Sequence, residues 1–292
     1  MFHISKDQVV YAMSGANPPV LHVDPGSRIT FEARDALAGQ LTSESDQFDG
    51  LDWSRINPAT GPVYVNGAEP GDALSVTIEQ IEIPDSGVMI TGKNMGVLGH
   101  IFEENSIKII PISGEEAIFS ENIRVPINKM VGVIGVAPAE GTISCGIPDF
   151  HGGNMDCKEI KEGATVLLPV FVPGALFALG DIHAAMADGE ICVTGIEVSG
   201  SVTVTVDLIK NDPLPLPMIL SDTHVMTLAS HEDLDDAVNM AVINMVSYLE
   251  TRGFPKDEAA MLLSIAGDVR ICQVVDPKKT VRVELPKQYL AR

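Results

Sequence analysis

Aromatic residues make up only 5% of this 292-residue chain, and tryptophan occurs once, at Trp53. Basic residues are also scarce: 19 Lys and Arg stand against 40 Asp and Glu, for a net charge of −21. A surface of that sign repels phosphate backbones and anionic lipid, which excludes nucleic acid and membranes as principal partners. The four cysteines, Cys145, Cys157, Cys192 and Cys272, show no C-x-x-C spacing. Neither a zinc ribbon nor a small disulfide framework is therefore expected. They read as reduced thiols, which points to the cytoplasm. The opening M-F-H-I-S-K-D-Q-V-V-Y also lacks the apolar stretch of a secretory signal. No apolar run reaches the roughly 18 residues that span a bilayer. Even Val166 to Leu179 is interrupted by Pro169, Pro173 and Gly174. An H-E-x-x-H helix, a G-x-S-x-G elbow and a G-x-x-x-x-G-K-[ST] loop are all missing. That removes the zincin, serine-elbow and P-loop chemistries.

What is present is apolar patterning with a period of two. Arg28 to Asp35 and Leu74 to Ile83 alternate as half-buried strands do, and Met130 to Val136 is continuously apolar, as a strand buried on both faces. The segment from Cys192 to Lys210 reads as two β-branched strands joined at Ser199–Gly200. Thr42 to Ile56 is polar and reads as a loop. The glycine-rich residues 84 to 100 read as a flexible loop over a substrate. The proline-rich N-D-P-L-P-L-P-M, residues 211 to 218, stiffens the chain and marks a lobe boundary. Beyond it the period changes: Leu234, Ala237, Val238, Ala241, Met245 and Leu249 form one helical face. A second helix over Lys256 to Ala266 and two further strands follow. The expected fold is mainly β, with a β-sandwich-like body over residues 1–212 and a smaller α+β C-terminal lobe over 213–292. A hydrophobic content of 45% is ample for such a core.

Residues 145 to 197 concentrate the chemistry. Asp149, His151, Asn154, Asp156, Asp181, His183, Asp188, Glu190 and Glu197 lie there among glycines and alanines. Crowded carboxylates repel one another, and a divalent cation is the simplest neutraliser. Asp181 and His183 alternate on a strand and project to one face, Asp188 and Glu190 flank Gly189, and Gly152 and Gly153 let His151 and Asp156 converge. A cation held there polarises an amide or ester carbonyl, with Asp181 and Asp188 as ligands and Glu190 moving the proton. Two competing readings use the same residues. One is a structural cation site in a β-sandwich that binds a ligand without turnover. The other is a thiolate amidase built on Cys145 or Cys157 with His151.

The blocks N-P-A-T-G-P-V-Y-V-N-G-A-E-P-G-D, H-G-G-N-M-D, L-P-V-F-V-P-G-A-L-F-A-L-G-D-I-H-A-A-M-A-D-G-E and G-I-E resemble, in order, the acetamidase/formamidase family. A weaker likeness extends to Q-V-V-D-P near the C-terminus. The resemblance implies a mainly β fold, hydrolysis of short aliphatic amides such as formamide and acetamide with release of ammonia, and a divalent metal, zinc or calcium. Through the matching motifs it gives a site role to His151, Asn154, Asp156, Asp181, His183, Asp188 and Glu190, and Asp35 and Glu69 lie in blocks that resemble its N-terminal half. The roles expected are catalysis for Glu190, Asp188 and Asn154, metal binding for His151, Asp156, Asp181, His183 and Asp35, and substrate contact for Glu69 and Gly153. Two positions depart from the family pattern, Asn66 and Ala187. The small residues Gly152, Gly153, Ala184 and Ala185 are consistent with a compact substrate. A homodimer is the expected assembly, on the prevalence of twofold oligomers.

Overall fold

Two large antiparallel-rich sheets build the molecule. The computed structural model describes residues 1–290. The first sheet has nine strands, in the order Phe2–Ile4, Ser27–Ala33, Gly200–Ile209, Ala73–Glu82, Thr165–Pro169, Met218–Leu220, His224–His231, Lys279–Pro286 and Asp268–Gln273. The second has eleven and is centred on Phe177–His183, which lies between Met130–Gly135, Ala59–Val65 and Glu197–Val198. The fold is mainly β, as the alternating sequence requires.

Every residue of Phe177–His183 and of Met130–Gly135 is buried. That explains why neither strand alternates apolar with polar: both of its faces are covered. By contrast, Ser27–Ala33 buries every second residue, Ile29, Phe31 and Ala33, into the main core. That core fills the space between the sheets, with Phe31 and Phe177 meeting edge to face at 5.6 Å.

The two helices follow the expected bounds closely. The first, α1, runs Leu234–Thr251. Asp233 caps it by accepting from the Asp235 and Asp236 backbone N–H groups at 2.8 and 3.2 Å, and those two acids suit the positive end of the helix dipole. Ala237, Ala241, Met245 and Leu249 face inward. The second, α2, runs Lys256–Ala266. Both pack with Val225, Val281, Val283 and Leu285 in a core of their own. The strands under α1 nevertheless belong to the first sheet, because Thr165–Leu167 pairs with Met218–Leu220 across the proline-rich connector. One sheet therefore holds strands from both sides of residue 212. Among the described residues, no helix is long and apolar enough to cross a membrane.

Candidate active site

Register brings the first donors together. Phe177–His183 runs antiparallel to Glu197–Val198, with His183 opposite Glu197. Cross-strand neighbours sit within side-chain reach, and His183 Nε2 lies 3.1 Å from Glu197 Oε1. The same nitrogen is 3.2 Å from Asp181 Oδ1 and 3.9 Å from Asp156 Oδ1. Asp156 reaches the group from the neighbouring chain segment, where its backbone N–H donates to Gly132 O. Two sets of donors result, each compact enough to hold one ion: Asp156, His183 and Glu190, and Asp181, His183 and Glu197.

A fifth carboxylate arrives from far along the chain. Gln273 is fully buried, and its Oε1 accepts from the Val275 and Asp276 backbone N–H groups at 2.9 and 3.0 Å. Its Nε2 donates to Lys278 O at 2.7 Å. This side chain fixes the turn that aims Asp276 at Asn154, whose Nδ2 donates to Asp276 Oδ2 at 2.9 Å. The same segment clamps the Glu190 turn, because Gly189 N–H donates to Cys272 O.

Three of the acids, Asp156, Asp181 and Glu190, occupy the left-handed backbone region, with φ of 42°, 56° and 46°. Non-glycine residues rarely stay there, and such strain gathers at functional sites. Space is equally tight. A Cβ on Gly132 would stand 2.7 Å from Asp181 Oδ2 and closer still to Asp156 Oδ1, and one on Gly195 would stand 2.7 Å from His183 Nδ1.

The electrostatics are those of unshielded like charges. Burial lifts Glu190 well above the usual carboxylate range, and the charge of Asp156 adds to it. Burial and the neighbouring Asp181 lift Asp156 in the same way, and burial and Glu190 lift Asp276. Burial, only partly offset by His183, raises Glu197 to about 8. Burial alone would push the His183 imidazolium down, but Glu197 and Asp181 outweigh it and hold it well above its ordinary value. Several polar atoms of the group have no hydrogen-bond partner among the described residues: Asn154 Oδ1, Asp156 Oδ1, His183 Nδ1 and Glu197 Oε2.

Asp181, Glu190, Glu197, Asp276 and Asn154 line a cavity of about 630 Å³. The structure thus unites Asn154, Asp156, Asp181, His183 and Glu190 of the expected site. Glu197, named among the donors without a role, and Asp276, missed altogether, complete it.

Other expected residues lie apart. His151 is fully buried, and neither ring nitrogen finds a partner among the described residues. Burial lowers its pKa to about 4, and it stands outside both donor sets. Asp35 spends its carboxylate on a turn, accepting from the Leu37 and Gly39 N–H groups and from Ser199 Oγ. Glu69 is exposed in the turn before Ala73–Glu82, away from the cavity lining. Gly153 (φ 87°) lets the chain pass against Ile147 O. It positions Asn154 rather than lining the cavity.

Asp188 faces Arg282, accepting from Nη1 and Nη2 at 2.7 and 3.0 Å, and pairs with Lys158 at 3.0 Å. Burial pushes its pKa up, and those two cations outweigh burial and hold it below its ordinary value. Arg282 is 1% exposed. Asp188→Ala would leave its guanidinium with Glu284, 2.6 Å from Nε, and the Cys272 sulfur, 3.6 Å from Nη1. Urea denaturation should then show a loss of about 1–3 kcal/mol, while activity per folded molecule holds within a few-fold. An activity loss as deep as that of a cavity-floor variant would return Asp188 to the catalytic group.

The cysteines lie elsewhere. Cys145, Cys157 and Cys272 are buried, and none of the four lines the cavity. Burial raises the Cys145 thiol to about 12, where it is inert as a nucleophile.

Comparison with known proteins agrees with this architecture. An acetamidase of Bacillus halodurans superposes with a TM-score of 0.96 at 43% identity, covering 98% of each chain. A protein of Thermoanaerobacter tengcongensis described as a predicted acetamidase/formamidase superposes with a TM-score of 0.97 at 45% identity, covering 99% of this chain and 96% of that one. A protein of Schizosaccharomyces pombe provisionally named a formamidase is 26% identical over 260 residues. That match takes in 67% of this chain and 63% of the relative, so the chain spans a little under two thirds of it. The sequence profile of the Acetamidase/Formamidase family matches residues 14–145 and 139–291, nearly end to end, and the chain belongs to that family.

Proposed function

We propose that the chain is a metal-dependent amidohydrolase that cleaves a carboxylic amide to the acid and ammonia. The observation that carries this reading is the cavity floor. Asp156, Asp181, Glu190, Glu197 and Asp276 share a single imidazole, and four of the group's polar atoms lack partners. Family membership supports the amide as substrate.

The residues present fit a divalent cation. Buried carboxylates without a counter-charge are costly, and the free atoms Asp156 Oδ1 and Glu197 Oε2 are hard donors. His183 with two carboxylates is a donor set of the zinc type, whereas calcium prefers oxygen alone. Zinc is therefore the metal proposed, held by Asp181, His183 and Glu197 or by Asp156, His183 and Glu190. When bound it polarises a carbonyl and lowers the pKa of a coordinated water.

The chain's own residues do the rest. Glu190, whose carboxyl burial lifts well above the usual range, is the group that carries a proton to the leaving nitrogen if Asp181, His183 and Glu197 hold the ion. Asn154 Oδ1 is free to accept from the amide N–H₂ of a substrate. The cavity in front of these groups favours turnover over a purely structural ion site, which protein ligands would fill completely. We also propose a homodimer in the cytoplasm. Exposed Ile101, Ile123, Val125 and Ile191 supply apolar surface for such contact, and sedimentation would test it.

The test is ammonia release from formamide, acetamide and propionamide before and after chelation. Activity should vanish with the metal and return with zinc. Full activity in protein shown to be metal-free would overturn the metal-dependent reading.

Stability supplies a second check. The Glu197 carboxyl is raised from 4.5 to about 8, so the metal-free folded chain holds a proton that the unfolded chain releases. That contribution is complete below about pH 4.5 and is lost as pH rises towards 8. The metal-free protein should melt at progressively lower temperature across this window. The increment from added zinc should grow over the same range, as read by differential scanning fluorimetry.

A further inference from the structure

The cavity is larger, and part of its wall more apolar, than the shortest amides require. It holds about 630 Å³. A water occupies about 30 Å³ of liquid, so the space matches on the order of twenty waters. Volumes of this size suit ligands far bigger than acetamide with its handful of heavy atoms.

The lining is graded. Its floor is buried and polar: Asp181, Glu190 and Glu197. Above it stand Leu37 and Ile90, each only 4% exposed, which belong to a small apolar cluster with Met95 and Val193 packed on it. At the rim stands Trp53, 51% exposed, its ring 6.0 Å from that of Phe48. The loop carrying Met95 is closed on itself and tied to the segment at Ile191. Asn94 N–H donates to Gly99 O and Val97 N–H to Ile191 O, each at 2.9 Å, and Gly96 lies too close to Ile191 O for any side chain. The apolar wall is therefore built in place rather than formed on closure. An amide group seated on the floor leaves this wall facing water unless something apolar is attached to it.

We infer that the preferred substrate is a primary amide whose acyl group carries an apolar tail, an alkyl chain of about six carbons or an arylacetyl group, which runs along Leu37 and Ile90 towards Trp53. This rests on the amide-hydrolysis reading and narrows its substrate class.

Burying each methylene against such a wall favours binding about fourfold. Ammonia release should therefore show kcat/KM rising on the order of 10²-fold from acetamide to hexanamide, with phenylacetamide comparable to hexanamide. Trp53→Ala and Met95→Ala should each lower the hexanamide-to-acetamide ratio several-fold. Acetamide turned over best, with kcat/KM falling as the chain lengthens, would overturn the inference and leave the amidase reading intact.

Trp53 is the sole tryptophan, so its emission reports occupancy without turnover. Hexanoate and phenylacetate should shift that emission at concentrations where acetate does nothing. If no amide released ammonia, this shift would still uphold the tail-binding wall while the hydrolysis reading failed. A Trp53 signal indifferent to all three acids would overturn the wall.

Discussion

His183→Ala should lower kcat/KM for any amide substrate by about 10³-fold or more and bring bound zinc well below stoichiometry. This imidazole is common to both donor sets, and its Nε2 sits within 3.9 Å of three carboxylate oxygens. Among the described residues, neither donor set includes another cationic side chain. The stability of the metal-free protein should fall as well, by about 3 kcal/mol or more, because Glu197 and Asp181 then lie buried without a counter-charge. Metal analysis, the ammonia assay and urea denaturation read the three effects separately. Full metal content with unimpaired turnover would show that the centre lies elsewhere.

Gly132→Ala is the second change with a large expected effect, although Gly132 carries no functional atom. Its φ is not in the left-handed region, so the backbone accepts alanine. The obstacle is the site, because the new methyl meets Asp181 Oδ2 at 2.7 Å and Asp156 Oδ1 as well. Either the two carboxylates part or the strand Met130–Gly135 shifts. A displacement of about 1 Å in a catalytic group can lower turnover about 10²-fold. Overpacking adds about 1–3 kcal/mol of destabilisation. A variant as active as the parent would mean that the Asp156–Asp181 spacing is not used in the reaction.

Much of this was legible in the chain because local spacing carried it. Asp181 and His183 alternate on one strand, and α1 declares itself by its apolar period. The misreadings also have physical causes. Asp188 and Glu190 flank Gly189 symmetrically, but Gly189 has φ 100° and Glu190 φ 46°. The chain turns there, and the two acids point to different partners, Arg282 and the cavity. Gly152 and Gly153, both with positive φ, separate His151 from Asp156 in the same way. Asp35 could not be told from a ligand by residue type, since capping a turn and holding an ion use the same oxygens. Asp276 was invisible because sheet pairing, not spacing, carries it to Asn154. Its one signal was the Q-V-V-D-P block, in which Gln273 turned out to shape the loop. The continuity of the first sheet across residue 212 was hidden for the same reason: Val166 meets Ile219 only in the folded chain.

The turn shaped by Gln273 sets an order of events on the ribosome. Asp156, Asp181, His183, Glu190 and Glu197 all leave the exit tunnel well before Asp276. At synthesis rates of about 5–20 residues per second the delay is on the order of ten seconds. Arg282, the counter-charge of Asp188, emerges later still. A nascent chain halted between the helices and Asp268–Gln273 therefore carries nearly the whole acidic group with neither its last member nor the strand that clamps Glu190. A chain released before Asp276 emerges is thus left with an unfinished, strongly repelling pocket.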